Sequence, residues 1–348
     1  MTSRQRWQAL FDRQTPDRIP TDYWATGEFS AKLRAHLGLA DDDAVCARLH
    51  IDRPRGAGAR YTRPLPPDSD MWGIGYRHVN YGSGAYREAV VHPLAGAQTV
   101  QDIHAHRWPE PDDFDYAGIP RHAASLRAAG HVVSGPGFEP FLLYCSLRGM
   151  EQAYEDLLVS TDIADAIFGH IFDVHYEVNR RILQAAGHGG IDYCYVAEDL
   201  GSQTGPLMSL ETYRRFLRPN QKKMADLARS FGAHIFYHTD GSARVFLPDL
   251  IDIVGIEILN PIQWRCPGME RQGLIRDFGR HIIFHGAMDN QQTLPFGTVE
   301  DVRREVHENV ALFANCRWIC APCHNIQAIT PPENIVALYD TIHEIGGS

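Results

Sequence analysis

The chain has 348 residues, of which 44% are hydrophobic and 22% charged, proportions that are ordinary for a soluble globular enzyme. Its formal net charge of −10 argues against a broad nucleic-acid footprint and against binding to an anionic membrane surface. No run approaches the roughly 18 apolar residues that cross a bilayer, and the N-terminus has no signal-peptide core, so we expect a cytoplasmic protein without membrane contact.

Short apolar runs predict seven strands, most of them after about residue 130. They are residues 18–24, 131–135, 191–197, 234–238, 253–259, 281–287 and 317–322. Between them, amphipathic patterns predict helices, the longest at 162–187, 210–232 and 298–314. Pro219 predicts that the second of these is two helices meeting at a bend. Thr298, followed by acidic residues, suits the start of the third.

Regular alternation of strand and helix predicts βαβ units and a parallel sheet. Seven strands, with one more that the pattern does not place, favour a single (β/α)8 TIM barrel spanning residues 1–348. An open doubly wound sheet is the alternative, but its GxGxxG turn is absent. Residues 60–118 are rich in Pro, Gly and aromatics, and we interpret them as an insertion or N-terminal excursion that covers the C-terminal mouth of the barrel.

Polar or reactive side chains follow five successive predicted strands, at the end where barrel enzymes carry their chemistry. They are Glu198, Asp199, His238, Asp240, Asn260, Gln263, His285, Asp289, Gln291, Cys323, His324, Asn325 and Gln327. The seven cysteines are odd in number and scattered, which indicates free thiols. Cys320 and Cys323 have CxxC spacing, but no second CxxC completes a structural zinc site.

Imidazole and carboxylate groups from two strand ends suggest a metal site. His238 and Asp240 lie at one end and His324 at another, and three such ligands leave a coordination position open for catalysis. Each residue also has an ordinary structural interpretation. His285 can belong to a polar turn, Glu198 can cap a helix, and Cys323 can be a small buried hydrophobe.

Several long stretches resemble the uroporphyrinogen decarboxylase superfamily, which includes that decarboxylase and the metal-dependent methyltransferases of corrinoid pathways. They are RWQALFDRQTPDRIPTDYW (6–24), EDLGSQTGPLMSLETYRRFLRP (198–219), FYHTDGS (236–242), FHGAMDNQQTLPFGTVEDVRREV (284–306) and TPPENIVAL (330–338). The resemblance covers essentially the whole chain and implies a single (β/α)8 barrel.

The resemblance is closer to the methyltransferases than to the decarboxylase. The decarboxylase has an arginine-rich segment after its first strand, whereas residues 22–28 here contain no arginine, and an eight-carboxylate substrate needs a cationic site. The methyltransferases have His-x-Cys-Gly where this chain has His238-Thr239-Asp240-Gly241, and a later Cys that falls on His324, beside Cys323. These replacements exchange soft thiolates for harder donors and leave the metal identity open.

By this resemblance we expect a methyltransferase or demethylase that moves a methyl group between a small methylated or methoxylated compound, or a methyl-corrinoid protein, and an acceptor. The ligands would be His238, Asp240 and His324, with Cys323 in reserve, and zinc is the expected ion. The expected catalytic residues are Glu198, Asp289 and His285, with Glu198 as fourth ligand or general base. The expected substrate-binding residues are Gln263, Asn325, Gln327, Tyr81 and Trp72.

Two other functions remain open from the sequence. One is a metal-free decarboxylase or lyase acting on a smaller acid, and the other is a non-catalytic barrel that binds a corrinoid protein or a tetrapyrrole. The expected partners are a small-molecule substrate and a corrinoid protein, which would carry the methyl-corrinoid cofactor. A homodimer is left open as the assembly.

Overall fold

A curled sheet of seven parallel strands forms the centre of the protein. The computed structural model describes residues 1–80, 82 and 84–346. Its strands are β1 (Arg55–Gly56), β2 (Arg60–Tyr61), β3 (Gly75–Asn80), β4 (Ala85–Val91), β5 (Phe114–Asp115), β6 (Val133–Phe138), β7 (Tyr193–Ala197), β8 (His234–His238), β9 (Ile258–Asn260), β10 (Ile283–Met288) and β11 (Trp318–Pro322). The central sheet has the order β1-β6-β7-β8-β9-β10-β11.

Helices alternate with the central strands, as the sequence predicts. They are α1 (Ser3–Phe11), α2 (Gly27–Leu37), α3 (Asp42–Arg48), α4 (Val100–Ala105), α5 (Ile119–Ala128), α6 (Pro140–Arg148), α7 (Met150–Val159), α8 (Thr161–Ala186), α9 (Leu210–Phe216), α10 (Arg218–Ser230), α11 (Leu247–Asp249), α12 (Arg271–Phe278), α13 (Thr293–Phe296), α14 (Val299–Phe313) and α15 (Pro332–Gly346). In the described part of the chain, no helix combines the length and the hydrophobicity that a membrane crossing needs.

The predicted first strand, residues 18–24, lies beside the β11 edge of the sheet without forming a continuous strand. It makes isolated parallel bridges, Thr21 with Cys320 and Ala25 with Ile326. On its other side, the Asp52 N–H donates to the Thr21 carbonyl at 3.0 Å. The observed sheet therefore has seven strands, and a closed eight-stranded barrel stays a prediction.

Several predicted element ends are confirmed, and two strands are shifted. β8 coincides with the prediction, α9 and α10 meet at the predicted bend, and Thr298 caps α14 in a capping box. Residues 250–254 form one helical turn instead of beginning a strand, because Gly255 at φ +79° ends that turn in the left-handed region. β6 runs on to Phe138, three residues beyond the prediction.

Side-chain alternation along the strands separates two layers of core. Ile235 and Tyr237 face the surrounding helices, whereas Phe236 faces the inside of the curled sheet with Trp7 of α1. Because side chains alternate between faces, His238 lies on the same inner face as Phe236. The inner face therefore ends in an imidazole at the carboxyl end of β8.

Residues 60–118 contain short strands and one six-residue α-helix. The hairpin of β3 and β4 reaches the loop after β11, where the Tyr86 hydroxyl donates to Gln327 Oε1 at 2.6 Å. Tyr81, predicted to bind substrate, lies outside the described residues. Trp72 does not form part of the mouth: it is 5% exposed and stacks on His175 of α8, with ring centroids 5.4 Å apart.

A buried ion pair between α6 and α7 also binds the segment of residues 60–118. Arg148 and Asp156 are almost fully buried, and Arg148 Nε is 2.7 Å from Asp156 Oδ2. Arg148 also donates to the carbonyls of Leu94 and Ala97, at 2.6 and 2.7 Å. Asp156 accepts from the Tyr144 hydroxyl at 2.8 Å as well. Each nitrogen of the guanidinium and each oxygen of the carboxylate thus has a hydrogen-bond partner, which makes the buried charges tolerable.

His175 should make the fold sensitive to acid. It stacks on Trp72 and meets the Phe138 ring edge-on. Burial lowers its pKa to about 4 from an ordinary 6.5. At pH 7 it is neutral in both states, but between pH 6.5 and 4 only the unfolded chain gains the proton. We expect that stability falls by up to about 3 kcal/mol across this window.

Replacing His175 with phenylalanine should remove that contribution to the pH dependence. The measurement is the free energy of unfolding in urea at several pH values between 7 and 4. His36→Phe, at an exposed position on α2, is the control and should leave the slope unchanged. Equal slopes in wild type and His175→Phe would show that His175 takes up its proton in the folded protein as well.

Candidate metal centre

The turn after β8 brings its polar residues to the carboxyl end of the sheet. Gly241 has φ +70°, and a Cβ atom there would lie 2.5 Å from the carbonyl oxygen of Ser202, so only glycine fits. Its N–H donates to Gln263 Oε1 at 2.7 Å. Gln263, predicted to bind substrate, therefore holds the turn that carries Asp240.

Three predicted ligands from two strand ends come together here. One ligand atom from each of His238, Asp240 and His324 lies within 4.8 Å of the other two. Asp240 Oδ2 is 3.5 Å from His324 Nε2, and Asp240 Oδ1 is 3.9 Å from His238 Nε2. Two imidazoles and one carboxylate are a common donor set for a catalytic divalent ion. We call these three residues the metal cluster.

Asp240 has an oxygen that the described residues do not satisfy. Its Oδ1 is buried and has no hydrogen-bond partner among them. Burial raises the pKa of Asp240, whereas His238 and His324 lower it. An unpaired buried carboxylate oxygen is costly, and a divalent ion between the three side chains would satisfy it. The residues present therefore fit a metal ion.

A buried hydrogen-bond chain orients the His238 ring. His238 Nδ1 bonds to Asn260 Oδ1 at 2.6 Å, Asn260 Nδ2 to His285 Nδ1 at 2.7 Å, and His285 Nε2 to Asp22 Oδ2 at 3.0 Å. An ionised Asp22 only accepts, so His285 Nε2–H donates to it, the Asn260 amide donates to His285, and His238 Nδ1–H donates to Asn260. His238 Nε2 then carries the lone pair that faces Asp240, the form that binds a metal.

His285, predicted to be catalytic, lies one step below the metal cluster. It is 0% exposed, and both ring nitrogens are used in the chain that ends at Asp22. The structure therefore gives it contact with Asn260 and Asp22 and no access to the mouth. Its arrangement is that of a residue that positions His238 through Asn260.

Glu198 and Asp199 point in opposite directions. The Glu198 carboxylate accepts from the backbone N–H groups of Phe141 and Leu142, at the start of α6, so it does not extend toward the metal cluster. Burial raises the pKa of Glu198 well above its usual range. Asp199 instead has Oδ1 3.7 Å from His238 Nε2. Side-chain alternation after β7 is the reason, because residues 195, 197 and 199 share the inner face.

Cys323 and His324 are also separated. The Cys323 thiol is 3% exposed and donates to the Ile262 carbonyl at 3.0 Å. Burial raises the pKa of this thiol well above its usual range, which disfavours the thiolate that a metal needs. Of the two neighbours, His324 is the one that joins the metal cluster.

The remaining predicted residues have their described contacts with residues other than those of the metal cluster. Asp289 is paired with Arg265 at 2.5 Å and accepts from the N–H groups of Gln291 and Gln292, so it shapes the loop after β10. Gln327 accepts from Tyr86. Asn325 lines a cavity of about 260 Å³, together with Trp24, Arg53 and other residues of the sheet.

Sequence reasoning missed three residues at the mouth. Glu139 follows β6, and burial raises its pKa, which His238 lowers in turn. The rings of Trp24 and Tyr195 lie 5.8 and 6.0 Å from the His238 ring. Glu139 was hidden because Gly135, Pro136 and Gly137 suggest a turn, although the strand continues through them. The alternation of residues 193, 195 and 197 could have identified Tyr195.

Comparisons with known proteins place these features in a family. The model of the family "Uroporphyrinogen decarboxylase (URO-D)" matches residues 96–345. A search of curated proteins found no match. A methyltransferase from Methanosarcina mazei superposes with a TM-score of 0.68 and 18% identity, over 99% of both chains.

Two other solved structures are more distant. A 3-keto-D-glucoside 4-epimerase, YcjR, from E. coli has a TM-score of 0.37 and 13% identity, over 66% of this chain and 84% of its own. A B12-independent methionine synthase from Shewanella sp. W3-18-1 has a TM-score of 0.39 and 11% identity, over 65% of each chain. Likeness at this level carries no argument about function.

Proposed function

This chain belongs to the uroporphyrinogen decarboxylase (URO-D) family, and from that premise we propose that it is a metal-dependent methyltransferase. The superfamily predicted from the sequence is confirmed. The methyltransferase fold of the Methanosarcina structure is compatible with the proposal. The observation that carries it is the metal cluster itself, in which the Asp240 carboxylate faces His324 with Oδ2 and His238 with the unsatisfied Oδ1.

The chain's own residues would prepare the site for this chemistry. A divalent ion held by His238, Asp240 and His324 would supply a Lewis acid that lowers the pKa of the methyl acceptor. Asn260, held by His285, keeps the His238 lone pair directed at the cluster. Outside the cluster, Asp199 lies 3.7 Å from His238 and Glu139 interacts with it electrostatically, and we assign these two carboxylates the uptake of the acceptor's proton.

Zinc is the ion we propose, and a methyl-corrinoid on a partner protein is one candidate methyl donor. Two imidazoles and a carboxylate form one of the donor sets found in catalytic zinc sites. A carboxylate donates less charge than a thiolate, so the ion should be a stronger Lewis acid here than with two cysteines. The harder donor set favours an oxygen or nitrogen substrate.

The decarboxylase alternative receives less support from the charges at the mouth. An acidic substrate would need cationic groups beside the cluster. The groups that act electrostatically on Asp240 and Glu139 are histidines and other carboxylates. We therefore keep methyl transfer as the proposed reaction.

We also propose that residues 18–24 complete an eight-stranded (β/α)8 barrel. The bridges of Thr21 and Ala25 to the β11 side, and the hydrogen bond from Asp52 on the β1 side, support this closure. Asp22 of this segment ends the hydrogen-bond chain from His238. Closure would therefore contribute directly to the metal site.

Substitutions at Asp240 test the proposed ligand. We expect that Asp240→Asn binds zinc roughly tenfold or more weakly than wild type, because the amide lacks the carboxylate's charge. Asp240→Cys should retain the metal, since a thiolate also binds zinc. The measurement is a competitive zinc titration of the apo proteins. Asp252→Asn, at an exposed position, is the control. Unchanged affinity in Asp240→Asn would make Asp240 a turn residue only.

A further inference from the structure

Two aromatic rings stand beside the metal cluster. Trp24 and Tyr195 both lie about 6 Å from the His238 ring, and each is inclined to it by 26°. The Trp24 indole N–H donates to Asp22 Oδ2 at 2.8 Å, which fixes the ring in place. Faces of this kind attract cations through the ring quadrupole when the cation lies within about 6 Å of the ring centre.

The same mouth has more negative charge than a divalent ion neutralises. Asp240 would bind the ion, and Asp199 Oδ1 lies 3.7 Å from His238 Nε2. Glu139 follows Phe138, which is in register with Val196 and Tyr237, so it comes at the level of His238 two strands away. In residues 1–80, 82 and 84–346, neither Asp199 nor Glu139 forms an ion pair with Lys or Arg. When these groups are ionised, a divalent ion leaves one negative charge in excess.

Resting on the proposed function, we propose that the methylated substrate is a cation, a quaternary ammonium or sulfonium compound. Its charged methyl-bearing atom would lie against Trp24 and Tyr195, with Asp199 and Glu139 supplying the opposite charge. Aromatic faces are a recognised means of binding quaternary ammonium groups, and carboxylates add attraction between opposite charges. An anionic substrate would meet carboxylates instead.

A cationic donor also suits the chemistry of methyl transfer. The acceptor loses a proton and attacks the methyl carbon, forming the new bond as the carbon–nitrogen bond breaks. The electron pair of that bond stays on nitrogen, so an ammonium leaves as a neutral amine, which can take up the acceptor's proton. Charge is balanced without an additional cationic group.

The remaining part of such a substrate has a place to lie. Trp24 also lines the cavity of about 260 Å³. Arg53 also lines this cavity, but its guanidinium is paired with Asp42, with Nη1 3.7 Å from Oδ2. Asp42 therefore offsets the positive charge that Arg53 brings to the cavity. The cavity can therefore hold the polar substituent of the substrate while the methylated atom lies at the acidic mouth.

The test compares two molecules of the same shape that differ in charge. Choline and 3,3-dimethyl-1-butanol are titrated into the full-length, zinc-treated protein by calorimetry. We expect that choline binds at least about tenfold more tightly, because the neutral alcohol gains nothing from the carboxylates. Trp24→Leu should weaken choline binding about fivefold to thirtyfold, whereas Trp264→Leu, at a tryptophan between two arginines, should not.

Glu139→Gln keeps the size of the side chain and tests the charge if Trp24→Leu does not fold. It should weaken choline binding at least about threefold while the metal content stays the same. Equal affinity for the two probes, or equal effects of Trp24→Leu and Trp264→Leu, would overturn the proposal.

Measuring the metal content of the same samples tests the metal-dependent methyltransferase separately from the cationic substrate. Protein that selects choline but holds no metal contradicts the proposed methyltransferase and supports the cation-binding mouth. Protein that holds zinc but does not select choline contradicts only the cationic substrate.

Discussion

Replacing His238 with alanine is expected to reduce the metal content from close to one divalent ion per chain to nearly none. A catalytic site with three protein ligands rarely survives the loss of one. The loss of metal should be larger than on alanine substitution of Asp240 or His324, because His238 is also the end of the hydrogen-bond chain through Asn260. Elemental analysis of the purified protein measures it, and methyl transfer should be lost in parallel.

His281→Ala provides the matched control for this experiment. His281 lies just before β10 and is exposed, so its removal should leave the metal content unchanged. Wild-type protein that is fully active without metal would refute the metal-dependent mechanism. Retained metal in His238→Ala would mean that other groups, such as Asp199, complete the site.

Replacing Asp156 with alanine is expected to lower the free energy of unfolding by about 3–5 kcal/mol. The substitution leaves the Arg148 guanidinium, which is 3% exposed, without its carboxylate. It also removes the acceptor of the Tyr144 hydroxyl. The docking of residues 94–97 through Arg148 should weaken with it. Urea unfolding measures the change.

An exposed ion pair gives the comparison for Asp156. Asp165 lies 3.4 Å from Arg215, and both side chains are more than half exposed. Asp165→Ala should cost less than about 1 kcal/mol. If Asp156→Ala folds too poorly for study, Asp156→Asn should give an intermediate loss, since the amide can still accept from Arg148. Equal losses at positions 156 and 165 would contradict the importance of burial.

The sequence predicted the strand–helix order well because local patterns carry that information. The run at 234–238 is bounded by residues that stop a strand, and the structure has those bounds. Thr298 caps its helix as expected from its own side chain and that of Asp301. Pro219 divides two helices because it cannot donate in a helix interior.

The direction of individual side chains was harder to predict, since it depends on distant parts of the chain. The pair Glu198 and Asp199 contains one carboxylate for the helix start and one for the mouth, and only the strand phase decides which is which. Trp72 packs against His175, which comes 103 positions later in the chain, on α8. Pattern reasoning also left open whether Cys323 or His324 is the ligand. In the structure the Cys323 thiol bonds to the Ile262 carbonyl, and His324 belongs to the metal cluster.

The hydrogen-bond chain from His238 to Asp22 has a consequence for how the protein acquires its ion during biosynthesis. It connects residues near opposite ends of the chain, because Asp22 meets His285 across 263 positions, and His324 comes later still. A nascent chain still lacking β11 has neither the last ligand nor the partner strand of residues 20–22. Metal loading should therefore follow the synthesis of β11 and His324, so that the bound ion marks molecules in which residues 20–22 and β11 have already come together.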